Sequence, residues 1–410
     1  VVGGGAAGMM AAGQVAKAGA EILIIEKKKR PGRKLMITGK GRCNITNIEP
    51  INEFIPHFGK TGRFLRQAFQ AYSNVDLMDF LGGLGLEMVT ERGGRVFPLS
   101  GKAKEVVKVF MDWLDHCRVP IQDSSSVEKL LVQDGQITGV ICQGKTMLCD
   151  SVILATGGAS YPLTGSTGDG YALAEALGHK IIPFRPALVP LEADGAITGR
   201  MDRLTLRNIN VSLYINGKKR REEFGELIFM DFGIRGATTL AMSCDVVDAL
   251  AQGDQVEFSL DLKPALNEKK LEGRLLRDFE ARAKEPLSSL LRGLLPREMV
   301  PVCLDLANIP HDRMAHSVSA KERRRLRNWL KDFRLEITGH RPFSEAIVTA
   351  GGISTKEVNP KTMESRLIRG LYLVGELLDI QAQTGGYNLQ AAFSMGHLAG
   401  VNAAKKNEEL

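Results

Sequence analysis

The chain opens on glycine: Gly3-x-Gly5-x-x-Gly8 follows Val1-Val2 and leads into an alanine-rich run that ends at Gly19. Between a strand and a helix, three glycines at this spacing let the backbone turn tightly, approach a diphosphate and pack the helix onto a sheet. The helix start adds unpaired N–H groups and a partial positive charge. The next strand, Glu21-Ile-Leu-Ile-Ile25, ends in an acid, Glu26, 18 positions after Gly8. A carboxylate there accepts hydrogen bonds from an adenosine ribose and argues against a 2′-phosphate on the ligand. Strand, glycine turn, helix, strand and acid form one βαβ unit that predicts a dinucleotide; a glycine turn of purely structural use is the alternative. Gly3, Gly5, Ala6, Ala7, Gly8, Glu26 and the adjoining Lys27 are the first candidate cofactor-binding residues. The motif requires a strand of about five or six residues before it, so native residues are expected ahead of Val1.

Glycine remains abundant throughout, at 44 of 410 residues, or about 11% against a usual value near 7%. The length suggests about two to three domains and excludes a disulfide-stapled scaffold. Cys43, Cys117, Cys142, Cys149, Cys244 and Cys303 form no C-x-x-C pair, so neither a zinc ribbon nor a dithiol motif is present and reduced thiols are expected. The histidines at 57, 116, 179, 311, 316, 340 and 397 show no ligand spacing, and no metal is expected. No apolar stretch approaches the roughly 18 residues of a membrane span, and no secretory leader opens the chain. A cytoplasmic protein without a membrane partner is the expectation. The net charge of +7, from 54 basic and 47 acidic residues, suits anionic ligands as well as nucleic acid. The basic run Lys321 to Lys331 reads as a solvated helix face, with nucleic-acid contact the lesser alternative.

Beyond a basic, glycine-rich loop from Lys27 to Asn47, apolar spacing predicts helices over 61–85 and 101–117. Ile121 to Cys149 reads as an antiparallel meander turning at Asp134-Gly135 and Gln143-Gly144. It runs into a buried strand, Ser151 to Ala155, that ends in Thr156-Gly157-Gly158, and then a helix from Gly170 to Leu177. Pro183, Pro186 and Pro190 mark a domain exit. Strand-like segments follow at Ile209–Ile215, Glu226–Met230 and Gln255–Leu262, and a helical stretch runs from Pro264 to Leu330. A strand at Leu371–Val374 and a helix at Asn388–Ala404 return to the style of the first domain. The expected fold class is α/β. A Rossmann-like FAD-binding domain of the two-dinucleotide-binding-domain flavoprotein type (1–186 and 336–410) is split by an inserted β-rich, barrel-like domain (187–263) and a helical lobe (264–335). A nicotinamide dehydrogenase would continue alternating strands and helices, and a built-in NADH domain would need a second glycine fingerprint. The meander and the Ala-Thr-Gly-Gly strand end resemble flavoproteins instead.

Three stretches sharpen that resemblance: Thr38-Gly-Lys-Gly-Arg-Cys-Asn-Ile-Thr-Asn47, Leu154 to Pro162 with Gly165 to Gly170, and Gly375-Glu-Leu-Leu-Asp379 with Gly385 to Ala391. Together they are similar to the BaiN-like or aminoacetone-oxidase-like family of FAD-dependent oxidoreductases, over nearly the whole chain and most loosely in the insert. The resemblance implies a prosthetic FAD, with the meander, including Val127, on its adenine side and the 38–47 loop beside the flavin. Arg33, Lys34, Lys40 and Arg42 put four cations among glycines where diphosphate charge and flavin edges would be stabilised; a solvated basic loop is the alternative. Thr38, Gly41, Asn44, Thr46 and Asn47 offer polar groups and close approach to the isoalloxazine, against a turn-forming role alone. Cys43, with no partner Cys or His nearby, reads as a packing or flavin-adjacent residue and not a nucleophile.

The cofactor set continues with Thr156, Gly157, Gly158 and Asp169, the last read as a helix N-cap followed by a close backbone approach at Gly170. Gly375 and Glu376 stand where related flavoproteins hold ribityl hydroxyls, and Asp379 shares that role or caps a turn. Gly386, Tyr387, Asn388 and Leu389 start the last helix, with N–H groups suited to the flavin pyrimidine edge. In the insert, Met230, Asp231, Arg235 and Ala237 depart from the family pattern, so a substrate role assigned there to a histidine does not carry over. The implied function is hydride or electron-pair transfer between FAD and a small organic substrate. It takes one of two forms: reduction of an enone-type C=C bond with NAD(P)H as external donor, or oxidation of an amine or aminoketone by oxygen. The sequence names no catalytic acid or base. A flavin-dependent RNA-modifying enzyme and a non-catalytic flavin-binding protein are the rival expectations.

Overall fold

The structure, a computed structural model, describes residues 1–405, which fall into two compact units: Val1–Pro186 with the chain from Phe343 onward, and Ala187–Pro342. The first unit is a Rossmann-type α/β domain. Val2 bridges in parallel to both Ile25 and Leu154. Ile24–Ile25 pairs in parallel with Ile121–Gln122, and Val152–Leu154 with Leu371–Leu373. The central sheet therefore runs 121–122, 24–25, Val2, 152–154, 371–373, and the fingerprint leaves it from the middle strand. Apart from the partly exposed edge pair Ile121–Gln122, these strands are buried and rich in Ile, Leu and Val, as a parallel sheet covered on both faces requires.

The helix Ala6–Lys17 and the last helix, Tyr387–Lys405, pack closely because their facing residues are small. A Cβ on Gly396 would lie 2.3 Å from the Ala7 carbonyl oxygen, and one on Gly400 would lie 2.5 Å from that of Ala11. Gly13 accommodates the Trp113 indole in the same way, 2.0 Å from a Cβ position. Phe393 stacks on Phe110 with centroids 5.1 Å apart, joining the last helix to helix Ala103–His116. The meander is present as Val127–Gln133, Gln136–Cys142 and Lys145–Leu148. Both central residues of its turns, Asp134-Gly135 and Gln143-Gly144, have positive φ, the geometry that suits the twist of tight hairpins.

Several local expectations need correction. The segment expected as a loop holds a helix, Arg33–Gly41, broken where Gly39 and Lys40 turn left-handed. Only Leu35 of this helix is buried, so almost no apolar periodicity announces it. The stretch 61–85 is interrupted, with a 3₁₀ segment Ile55–Leu65 and helices Arg66–Ala71 and Asn74–Gly83. The proline-rich stretch coincides with a unit boundary, Pro186/Ala187, but Pro183 and Pro186 lie inside a strand, Ile181–Ala187, in a two-stranded pairing with Val348–Ile353; such a pairing tolerates missing donors.

The second unit carries a closed six-stranded antiparallel barrel with Thr205–Ile215, Lys218–Met230 and Val256–Asp261 among its strands. Its closing strand, Phe333–His340, straddles the boundary expected at 335/336, and the helix Ala237–Ala251 lies within the stretch expected to be β-rich. The basic run is helical, Ala320–Lys331, but is not mainly a solvated face. Arg323 pairs with Glu272 at 2.6 Å, Arg325 donates to the Ala307 and Asn308 carbonyls, and Lys331 pairs with Asp261 at 2.5 Å. Among the described residues, no helix is long and apolar enough to cross a membrane.

Replacing Phe393, fully buried, with Ala is expected to destabilise the protein by about 3–5 kcal/mol. Urea denaturation measures this, and a loss under about 1 kcal/mol would contradict the packing described.

Candidate functional site

The fingerprint glycines divide their work. Gly3 has φ +100°, and a Cβ there would lie 2.6 Å from the Ala155 carbonyl oxygen. A Cβ on Gly8 would lie 1.9 Å from the Gly3 carbonyl oxygen. Both are glycine because backbone touches backbone. Gly5, directly before helix Ala6–Lys17, would place a Cβ with nothing within 4 Å. The helix N-terminus thus looks onto open space at the one motif glycine that internal packing does not require, which is where a diphosphate would approach. Ala6 and Ala7 form the first turn, and Gly375 packs on Ala7 with φ +77°.

Glu26 is buried and closes this turn: Oε2 accepts the Gly4 N–H at 2.7 Å, and Oε1 accepts the Lys28 N–H at 2.8 Å. A carboxylate has about four acceptor positions, so capacity remains for ribose hydroxyls. Lys27 donates to Thr167 Oγ1 at 2.6 Å and pairs with Asp169 at 2.9 Å. Asp169 opens helix Asp169–Glu175 as its first residue; Gly168 occupies the cap position, so the expected N-cap role is corrected. The close approach at Gly170 is present, with a Cβ position 1.9 Å from Thr156 Oγ1. That hydroxyl is buried without a hydrogen-bond partner. Gly157 has φ +74° and faces Ser166, while Val127 is buried at the start of its strand.

Four distant segments meet at Glu376. Its Oε2 accepts from Lys34 Nζ at 2.6 Å; its Oε1 accepts from Ser160 Oγ and from the Thr349 N–H, both at 2.7 Å. Lys34 also donates to Ser160 Oγ at 2.6 Å, and Thr349 Oγ1 accepts the Ala159 N–H at 2.8 Å. Gly158 is required here, since a Cβ would lie 2.4 Å from Thr349 Oγ1. Sequence reasoning did not single out Ser160 and Thr349; they sit beside Gly158 and Gly351 but carry no spacing signal of their own. Asp379 does not share this network. It accepts the Gly351 N–H and faces Arg185, and burial raises its carboxyl above the ordinary value, against the pull of those two groups.

The expected basic cluster does not act as one. Arg33 and Lys40 are exposed, Lys34 belongs to Glu376, and Arg42 pairs through both terminal nitrogens with Glu91 while lying 4.3 Å over the Phe97 ring. Thr38 bonds back to the Leu35 carbonyl at 2.7 Å, beside exposed Gly41. Cys43 is fully buried, and burial pushes its thiol up to about 12, so thiolate chemistry is suppressed.

The 44–47 segment packs on the start of the last helix. A Cβ on Gly386 would lie 2.3 Å from the Thr46 carbonyl oxygen. With its amide nitrogen directed to the Thr46 carbonyl at 3.1 Å, Asn44 accepts the Gly386 N–H at 3.0 Å. That N–H is therefore taken, and the first-turn donors left without intrahelical acceptors are those of Tyr387, Asn388 and Leu389. Thr46 Oγ1 donates to buried Gln390 at 2.7 Å, and Asn47 donates to the Gly385 carbonyl at 3.1 Å. Tyr387 donates to Glu49 at 2.9 Å and stacks on His57. Asn388 accepts the Ala382 N–H at 2.8 Å and donates to its carbonyl at 3.0 Å, and Leu389 packs on the core. Among the described residues no His, Cys, Asp and Glu group could hold a metal ion.

Two variants separate the glycine roles. Gly8→Ala is expected to lower the melting temperature, whereas Gly5→Ala keeps it within about 2 °C and instead weakens dinucleotide binding; equal melting temperatures for the two would refute the division. Cys43 in the folded protein is expected to escape alkylation by iodoacetamide at pH 8, where a thiol titrating at about 12 is thiolate to the order of one part in 10⁴. Mass spectrometry after brief labelling checks this, and rapid modification of Cys43 without unfolding would overturn it.

The HI0933-like protein Rossmann domain family matches residues 1–402. The 3-dehydro-bile acid delta(4,6)-reductase of Clostridium scindens is 31% identical over 408 residues, covering 99% of this chain and 98% of that one. The ribosomal RNA dihydrouridine synthase of Haemophilus influenzae is 29% identical over 412 residues, covering 99% and 98%. Among solved structures, 3-ketosteroid delta1-dehydrogenase from Sterolibacterium denitrificans aligns with a TM-score of 0.54 at 14% identity and 99% coverage of each chain, a likeness of fold. The chain belongs to the HI0933-like Rossmann family of FAD-dependent oxidoreductases.

Proposed function

We propose that this protein reduces a carbon–carbon double bond conjugated to a carbonyl, using FAD re-reduced by NAD(P)H. The observation that carries the reading is that full-length relatives at 31% and 29% identity are both named for saturating a double bond, one in a 3-oxo steroid skeleton and one in a uracil base. Both are acceptors whose β-carbon takes a hydride and whose α-carbon takes a proton.

The residues present fit FAD. Open space at Gly5 lies before a helix N-terminus, Glu26 retains acceptor capacity, and the buried hydroxyl of Thr156 lacks a partner. Bound FAD would supply the hydride chemistry. The chain's part is binding and orientation. Gly3, Gly5, Ala6, Ala7 and Gly8 would receive the diphosphate, with Thr156 and Gly157 beside them. Glu26 would take the ribose, and Val127 would border the adenine. Glu376, neutralised by Lys34 and held by Ser160 and Thr349, would order the ribityl hydroxyls. The first-turn N–H groups of Tyr387 to Leu389 would stabilise negative charge on the pyrimidine edge, with Asn44 and Thr46 fixing that turn.

An RNA base as substrate is the second reading, supported by the Haemophilus relative. Counting against it, Arg323, Arg325 and Lys331 of the basic helix are committed to internal partners.

Anaerobic titration tests both. NADH or NADPH is expected to bleach the bound flavin, and a 3-oxo-Δ4 steroid or a simpler enone to restore its colour without oxygen. Bleaching by amines alone would favour an oxidase. Recolouring by uridine-containing RNA and not by enones would favour the second reading.

A further inference from the structure

Gln381 lies on the stretch that joins the two proposed flavin anchors, five residues after Glu376 and five before Gly386. Both flanks of this stretch are fixed. Leu378 bridges in parallel to Ile353, and the Asp379 N–H donates to the Ile353 carbonyl at 2.9 Å. On the other side the Asn388 side chain clamps Ala382 through both its N–H and its carbonyl, and reaches the Gln383 carbonyl at 3.4 Å. Between these clamps Gln381 Oε1 is buried and has no hydrogen-bond partner. Native structures seldom leave a buried amide oxygen unsatisfied, and such an atom points to a missing donor.

The chemistry of the missing donor is restricted. A carboxamide oxygen only accepts. The oxidised isoalloxazine ring carries one N–H donor, at N3, on the pyrimidine edge that the start of the last helix would face. The other flavin donors, the ribityl hydroxyls, fall to Glu376 under the placement proposed above. We propose that Gln381 is a cofactor-recognition residue whose Oε1 accepts the hydrogen bond of the flavin N3–H. This rests on the flavin placement under Proposed function but is independent of the substrate.

The test is binding, with no turnover required. The apoprotein, stripped of flavin, is titrated with FAD and with N3-methyl-FAD, in which a methyl group replaces that donor hydrogen, and quenching of flavin fluorescence reports Kd. The wild type is expected to bind N3-methyl-FAD about three- to tenfold more weakly than FAD, the worth of one net hydrogen bond, or weaker still if the methyl group also clashes. Gln381→Met, similar in length and without an acceptor amide, is expected to lose FAD affinity by a similar factor and to discriminate little between the two flavins. Gln381→Glu, which keeps an acceptor oxygen, is expected to retain the preference for FAD. Equal wild-type binding of both flavins, or undiminished discrimination by Gln381→Met, would overturn the assignment and leave water as the partner. The wild-type comparison stands even if a variant fails to fold. Failure of the wild type to bind either flavin would instead bring down the flavin placement itself.

Discussion

The Rossmann unit depends on how closely backbone can approach backbone around its first helix. The sheet side is set by Gly8 against the Gly3 carbonyl, and the opposite side by Gly396 and Gly400 against Ala7 and Ala11. A methyl group at any of these glycines would have to occupy space that a carbonyl already fills. The helix is thereby held with its N-terminus at the edge of the central sheet, and its unpaired N–H groups open where Gly5 has no neighbour. Glycine and alanine carry little apolar area, so stabilisation comes from the larger residues around them, such as Met9, Met10, Phe110 and Phe393.

A second constraint is electrostatic. Lys34, Ser160, Thr349 and Glu376 come from four parts of the sequence and meet on one carboxylate. A half-buried Glu is costly as an isolated charge, but here it has an ammonium, a hydroxyl and a backbone N–H as partners. The network also has a mechanical effect. It holds the Gly158–Ser160 loop, the strand from Val348 and the short turn after Leu373 in one register. Asp379, three residues further on, stands outside it with Gly351 and Arg185, so two nearby acids have different surroundings.

Features with a local signal were legible in sequence. The fingerprint, the Asp134-Gly135 and Gln143-Gly144 turns, the helix over 103–116 and the last helix all rest on residue type at short spacing. What was not legible rests on distant partners. The helix Arg33–Gly41 buries only Leu35, so periodicity had nothing to report. Arg42 looked like a cation for the cofactor until the hairpin at 88–98 brought Glu91 to it. The basic run 321–331 looked solvated because Glu272, Asp261 and the Ala307 and Asn308 carbonyls that receive it lie elsewhere in the chain.

By itself the sequence determined that this chain builds a dinucleotide site at a glycine turn and resembles a flavoprotein family, because steric permission for close backbone approach is written residue by residue. Only the tertiary structure decided which charged and polar groups are already committed to one another. It gave Lys34 to Glu376, Arg42 to Glu91 and the Gly386 N–H to Asn44, and it left Gly5, Thr156 and Gln381 with unfilled space or unmet hydrogen-bonding capacity. The physical reason is that hydrogen bonds and ion pairs act over a few ångströms, and in a split domain those distances are set by segments far apart in sequence, 49 residues for Arg42 and Glu91 and 342 for Lys34 and Glu376.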